Sequence, residues 1–133
     1  MSEQVRWYKA VKNYDIAGLN GSVALFTVTG SVKVKLIGIC KTGLAGGQNI
    51  EVGITASTDA MIATTLDTDL DAGDIWHDAS PDSEVEALSV MREYMITDDN
   101  DILITSDGAV TSGDIIFICE WSPLEGGSSV VST

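Results

Sequence analysis

The sequence predicts an all-β protein, with a single antiparallel β-sandwich or jelly-roll domain of about eight strands over residues 1–133. Val, Ile and Thr are plentiful whereas Leu is scarce, a composition that favours strands over helices. Short apolar runs recur roughly every 8–15 residues and are separated by Gly, Asp and Asn clusters, as in sandwiches. A chain of 133 residues has the usual size of one domain and can bury a substantial core.

The clearest strand is 31–40, in which Val32 and Val34 alternate with Lys33 and Lys35. A period of two places the valines on one face and the lysines on the other. The same reasoning predicts further strands at 5–11, 22–30, 49–57, 85–97, 101–107 and 113–124.

Glycine and polar clusters predict the connections. Gly30 alone separates the strands at 22–30 and 31–40, which indicates either a tight hairpin or one long bent strand with a bulge. The glycine-rich segment 41–48 lacks the Gly-Lys-Ser/Thr ending of a phosphate-binding loop and is interpreted as a flexible turn. Segment 58–65, with Asp59 near a possible N-cap, is expected to form one short helical turn.

Two predictions concern the C-terminal part of the chain. Segment 85–97 has apolar spacings that suit either a helix or a strand, and we favour a strand. An Asp/Asn turn at 98–101 would pair it with 101–107 in a hairpin. The small and polar residues 125–133 are expected to form a flexible tail.

The net charge of −13 and the pI near 4.1 argue against nucleic acid and anionic membranes as partners, since both need clustered Lys and Arg. The charge is uneven. Residues 1–41 hold six basic and two acidic side chains, a net charge of +4, whereas the remainder has a net charge of −17. This division either lets two parts of the fold, or two copies, attract each other, or reflects chance clustering and solubility.

The start of the chain is polar and has no apolar segment typical of a signal peptide, and no stretch reaches the roughly 18 apolar residues that span a bilayer. Cys40 and Cys119 each end an apolar strand-like run. Buried free thiols are the favoured interpretation, and a disulfide between neighbouring strands stays open.

The segment 67–78, DTDLDAGDIWHD, contains five aspartates and suggests a calcium loop. Asp67, Asp69 and Asp71 fit the first three ligand positions of an EF-hand loop. However, Gly73 comes one place late for the required turn, and no helical pattern flanks the loop. The alternative is an acidic connector that bends at Gly73, with Ile75 and Trp76 packed inward and the aspartates facing solvent.

No catalytic arrangement emerges from the sequence, and we expect neither an enzyme nor a cofactor. His77 is the only histidine, and no serine lies in a nucleophile setting. Carboxylate pairs are abundant, but the aromatic residues are few for a polysaccharide cleft. Trp7, Trp76 and Trp121 are alternatively a stacking platform of a carbohydrate-binding module, although such residues more often fill a core or an interface.

Protein–protein contact is the interpretation that the residues favour. Trp and Tyr are enriched among interface anchors, and Arg and Lys beside them add charge complementarity. The candidate interface residues are Arg6, Trp7, Tyr8, Lys9, Lys12 and Trp121.

Three stretches resemble small structural proteins of tailed-bacteriophage virions: GSVALFTVTGSVKVKLIGICKT, NIEVGITASTDAMIATTLDTDLDAGDIWHD and DILITSDGAVTSGDIIFICEWSPL. The resemblance rests on the strand start G-x-V-x-L-F-x-V-x-G, the I-x-V-G strand, the D-A-G-x-I-W loop and the terminal F-x-C-x-W-x-P-L. It covers roughly residues 20–124, and its motifs are structural, without catalytic residues.

The resemblance implies a capsid decoration or cement protein, made in the bacterial cytoplasm and located on the outside of the virion head. Its implied partners are the major capsid protein and itself, as a dimer or trimer. Other readings are a tail or baseplate accessory domain that binds host-surface glycan, a calcium-stabilised hydrolase, and a secreted binding module.

Overall fold

The protein is an all-β sandwich of two antiparallel sheets, as predicted. The structure, a computed structural model, describes residues 7–77, 93–97 and 99–133. Those residues contain more strands than the eight or so that the sequence suggested, and one short 3₁₀ helix, Asp67–Asp69. The strands are β1 (Tyr8–Asp15), β2 (Gly21–Thr29), β3 (Val32–Ala45), β4 (Asn49–Ile54), β5 (Ser57–Leu66), β6 (Ile75–Trp76), β7 (Tyr94–Ile96), β8 (Ile102–Ser106), β9 (Ser112–Pro123) and β10 (Ser129–Ser132).

The strands divide into two sheets of five. The first sheet has the order β1-β9-β3, and both β6 and β7 pair with the far edge of β3, β6 at Gly38–Ile39 and β7 at Val32–Val34. The second sheet has the order β10-β2-β8-β4-β5. Every pairing is antiparallel.

The core lies between the sheets and follows from the alternation of side chains along each strand. In the first sheet, alternate residues of β3 and β9 are buried, among them Val34, Phe117 and Cys119. Ile50 and Ile104 of the second sheet are equally inaccessible. Each such apolar side chain stabilises the fold by about 1.5–3 kcal/mol.

Both predicted forms of the connection at Gly30 are wrong. β2 ends at Thr29 in the second sheet, and β3 begins at Val32 in the first, so the chain crosses between sheets at this point. Gly30 has φ = 67°, which a glycine adopts without strain. The turn is fastened because the Gly30 amide donates to the Asp99 carboxylate, and the Asp99 amide donates to the Gly30 carbonyl at 3.3 Å.

Two segments predicted as turns are strand instead. β3 continues through register shifts to Ala45, which takes up most of the glycine-rich segment 41–48. The helical turn predicted at 58–65 is strand β5, because Met61 and Ile62 are buried in the core. The Glu51 carboxylate of β4 also accepts hydrogen bonds from two threonine hydroxyls of β5.

The predicted hairpin between 85–97 and 101–107 is wrong. Only 93–97 of the first segment lies within the described residues; its β7 belongs to the first sheet, whereas β8 belongs to the second. The predicted flexible tail is also wrong over Ser129–Ser132, which form β10 beside β2. Val130 explains this, since its side chain is buried in the core.

Candidate interaction site

The acidic segment begins with the 3₁₀ helix and bends at Gly73, whose φ is 94°. The Asp71 amide donates to Asp74 Oδ2 at 2.9 Å, and the Asp74 amide donates to the Asp71 carbonyl at 3.0 Å. These two bonds close a tight turn. Asp78, the last aspartate of the segment, lies outside the described residues.

The three calcium candidates do not converge on a common point. Asp69 and Asp71 are exposed, whereas Asp67 is fully buried and its Oδ1 accepts the Gly47 amide at 3.0 Å. In the described part of the chain, no three His, Cys, Asp or Glu side chains are arranged to hold a metal. The prediction that the aspartates face solvent is wrong for Asp67. Its Oδ2 has no hydrogen-bond partner among those same residues.

Trp76 packs inward as predicted, and Ile75 does not. The Trp76 ring is buried, lies 6.1 Å from the Phe117 ring centroid and donates from Nε1 to Thr65 Oγ1 at 2.9 Å. Ile75 is 57% exposed, because neighbouring residues of a strand point to opposite faces. His77 is exposed as well.

A platform of three tryptophans is ruled out, since Trp76 fills the core. Trp121 instead stacks on Tyr8, its partner in the β1–β9 register, with ring centroids 4.7 Å apart and an interplanar angle of 27°. Tyr8 is 45% exposed and Trp7 is 37% exposed. The structure therefore brings together three of the predicted interface residues at one end of the first sheet.

Two lysines of β3 complete this group. The Lys35 Nζ lies 5.0 Å from the Trp7 ring centroid, and the Lys33 Nζ lies 5.8 Å from it, which is cation–π distance. We call Trp7, Tyr8, Lys33, Lys35 and Trp121 the aromatic corner. The registers place Tyr8 and Trp121 on the core-facing side of this sheet end, whereas Trp7 and the two lysines lie on the outward side. The aromatic corner combines partly exposed aromatic area with fixed positive charge.

Glu93 holds both lysines in place. Its carboxylate lies 3.0 Å from Lys33 Nζ and 3.6 Å from Lys35 Nζ. The hydrogen bond from Lys33 is the main reason why the pKa of Glu93 is lowered, and the charges of both lysines add to it. Lys33, Lys35 and Glu93 were missed by sequence reasoning, because the lysines served only as evidence for alternation. The alternation along β3 could have identified the two lysines, because it places them on the outward face of the sheet, where Trp7 also lies.

The remaining interface candidates are scattered. Lys9 lies on the outward face of β1, opposite Glu120. Lys12 lies on the other face of the same strand, and its Nζ donates to the Thr133 carbonyl. Arg6 lies outside the described residues.

Both cysteines are buried free thiols, as the sequence favoured. Burial raises the pKa of Cys119 to about 12, with a smaller contribution from Glu120. Burial is also the main cause that raises the pKa of Cys40, followed by nearby aspartates. Because the thiolate is the reactive form, neither thiol is activated as a nucleophile.

No protein-family model matches this chain, and no curated protein matches it significantly. A helix long and apolar enough to cross a membrane is not found among residues 7–77, 93–97 and 99–133.

Proposed function

We propose that this protein is a structural protein of a bacteriophage virion, and specifically a decoration or cement protein that binds the outside of the head. In this role it bridges neighbouring major capsid subunits and stabilises their contacts. It is made in the host cytoplasm and acts on the capsid exterior, without nucleic acid, membrane or cofactor as a partner. The sequence resemblance to small virion proteins motivates the proposal.

The observation that carries the proposal is the aromatic corner. Tyr and Trp side chains are typical anchors of protein interfaces, and the two lysines beside them add charge complementarity. The rings lose little conformational entropy on binding, because Tyr8 and Trp121 already stack and Lys33 and Lys35 are already fastened by Glu93. A positively charged corner on a chain of net charge −13 also suits an acidic seam of a shell.

The physical effect of such binding is mass action. A ligand that binds only the assembled and expanded shell stabilises that shell relative to separated subunits. Internal pressure from packaged DNA acts on the seams between subunits, and many bound copies oppose it together. The net negative charge keeps a densely displayed coat soluble.

The test is binding to expanded heads assembled from the major capsid protein of the phage that encodes this chain. We expect the wild-type chain to co-sediment with heads and raise their melting temperature. Trp7→Ala and Lys35→Glu should lower occupancy about tenfold or more, as for interface anchors. Val131→Ala is the matched control, since Val131 is 54% exposed on β10 of the other sheet. Point variants are preferable to deleting residues 1–12, which would remove most of β1.

Two results would contradict the proposal: no binding of the wild-type chain to heads, or equal occupancy for all variants. The glycan-binding alternative makes a different prediction. It requires that the wild-type chain bind a glycan array, and that Trp7→Ala abolish this binding while occupancy on heads stays unchanged.

A further inference from the structure

The outward face of the first sheet is apolar at its centre. The registers place Val11, Ile118 and Ile37 in one row across β1, β9 and β3. The next row holds Ile116, Ile39 and Ile75, across β9, β3 and β6, and continues on β1 with the polar Asn13. Val11 is 43% exposed, Ile75 is 57% exposed, and the other four side chains are partly exposed. These six residues form what we call the isoleucine face.

The outward face of the second sheet, in contrast, carries polar side chains. There, Ser22, Thr105 and Glu51 occupy one row across β2, β8 and β4. The Ser22 and Thr105 hydroxyls are hydrogen-bonded at 2.8 Å. An antiparallel sheet with one solvated face normally carries polar side chains on it. The isoleucine face breaks this rule over two adjacent rows, and contiguous exposed apolar area marks contact surfaces.

The two ends of this face carry opposite charge. At the end with the aromatic corner, Lys9, Lys33 and Lys35 outnumber Glu93 and Glu120. The other end is acidic, because Lys41 is outnumbered by Asp15, Asp71, Asp74 and Asp114, three of which act on the nearby Cys40 thiol.

One pair of acids at that end forms no salt bridge with a basic side chain of the described residues. Asp15 and Asp114 stand directly opposite each other in the β1–β9 register. Like charges in this position destabilise a sheet. A cation that arrives from outside the sheet would relieve the repulsion.

We propose that the isoleucine face is the contact surface of a homodimer, in which two copies stack first sheet against first sheet. The two-fold axis lies between the sheets and runs across the strands. This axis reverses the strand direction of the second copy, so the basic end of each chain lies over the acidic end of its partner. Because this axis keeps the order of the strands, the row of Lys9, Glu120 and Lys35 then faces the row of Asp15 and Asp114 in the other copy, and Lys9 lies over Asp15. A two-fold axis along the strands would instead place like charges over each other.

The size of the face sets the expected affinity. Four strands about 4.8 Å apart and four rows about 6.8 Å apart cover roughly 500 Å² of sheet. Stable interfaces bury about 800 Å² per partner, so we expect a dimer that dissociates in the micromolar range.

The dimer also has a consequence for the proposed function, although it does not depend on it. In the stacked arrangement, Tyr8 and Trp121 lie on the side of the first sheet that points away from the partner, because they share the face of Val34. The stacked rings of both aromatic corners therefore stay accessible, at opposite ends of the dimer. Two corners on one particle allow simultaneous binding to two sites on a symmetric shell, which raises occupancy through effective concentration.

Sedimentation velocity of the purified chain, without capsid, tests the inference. We expect the wild-type chain to shift from monomer to dimer between about 1 and 100 μM. Ile118→Thr, at the centre of the face, should raise the dimer dissociation constant at least tenfold while far-UV circular dichroism stays unchanged. Val131→Thr is the matched control, an equally β-branched exchange on the outward side of the second sheet, and should leave the constant unchanged.

A second pair of variants tests the orientation of the two copies in the dimer. Lys9→Glu should weaken the dimer at least as much as Ile118→Thr does, because it places an acid over the Asp15–Asp114 pair. Lys12→Glu makes the same charge change on the other face of β1, so its effect should be clearly smaller. If Lys9→Glu strengthens the dimer, the axis runs along the strands and the proposed arrangement is wrong.

Other outcomes would overturn the proposal as a whole. A wild-type chain that stays monomeric at about 100 μM has no such dimer. A dimer that Ile118→Thr leaves unchanged uses another surface. A monomer whose binding to heads is lost in Ile118→Thr uses this face for the capsid instead. Because dimerisation is measured without heads, its failure is distinguishable from failure of the decoration role.

Discussion

Trp76 is one of the residues that attach the acidic segment to the core, and its truncation should destabilise the fold strongly. Its ring is buried against Phe117, and both lie beside Gly38, where an added Cβ would come within 3.1 Å of the Phe117 ring. Trp76→Ala therefore removes a large ring from a space that the surrounding backbone cannot easily close. Such truncations cost about 3–5 kcal/mol. A domain of this size is stable by only about 5–15 kcal/mol, so the variant should be marginal.

Trp76→Phe distinguishes the contribution of the buried ring from that of its hydrogen bond. It keeps most of the apolar area but loses the bond from Nε1 to Thr65 Oγ1, which contributes about 1 kcal/mol. Urea unfolding followed by far-UV circular dichroism gives the free energy of unfolding of each variant. Thr65→Val and the Trp76→Phe/Thr65→Val double variant complete a cycle, in which we expect a coupling of about 0.5–1.5 kcal/mol. A loss below about 1 kcal/mol in Trp76→Ala would refute the inference that this ring is part of the core.

Three further predictions concern buried and exposed acids and thiols. Asp67→Ala should lower the free energy of unfolding by about 1–3 kcal/mol, because the Gly47 amide loses its acceptor. Asp67→Asn keeps an acceptor for that amide and should lower the free energy of unfolding less. Equal losses in the two variants would contradict the role of Oδ1. Asp71→Ala should change the free energy of unfolding by under about 0.5 kcal/mol, since the side chain is exposed. The change should be the same in calcium and in chelator. A difference between the two conditions would support calcium binding by this loop. Cys119 has a pKa raised from 9.0 to about 12 in the folded chain. Above pH 9 the thiol therefore ionises in the unfolded chain before it does so in the folded chain, and the free energy of unfolding falls as the pH rises from 9 toward 12. At pH 10 the loss is about 1.4 kcal/mol, and urea unfolding of Cys119→Ala at pH 8 and pH 10 should show a correspondingly smaller decrease than the wild-type chain.

Strand positions could be predicted where a pattern of neighbouring residues encodes them, whereas strand pairing could not, because it depends on residues that are distant in the sequence. β3 and β9 were recognised because alternation and β-branched residues are visible within ten residues. The partners of a strand depend on contacts between distant segments, which is why β7 and β8 were placed in one hairpin although they lie in different sheets. β10 was missed because a polar tail with one buried residue, Val130, has no periodic pattern to detect.

The candidate site divides in the same way. Residue type alone found Trp7, Tyr8 and Trp121, because aromatic residues near strand ends are good interface candidates. The charge that fixes this corner comes from Lys33 and Lys35 of a strand far away in sequence, and only the β3–β9–β1 register brings them to Trp7. The burial of Asp67 was equally invisible, since its solvent-excluding neighbours lie on other segments.

One feature of the sequence gains a meaning only with the fold. The runs KLIGIC and DIIFIC are apolar at successive positions, which is typical of strands that are buried on both faces. Among the described residues, the buried side chains of the first sheet, such as Leu36, Phe117 and Cys119, lie on the face toward the second sheet. The intervening Ile37 and Ile118 point to the opposite face. Apolar side chains on both faces of this sheet are the reason why we propose a second contact surface, and a copy of the same sheet, reversed to match its charged ends, has the needed chemistry.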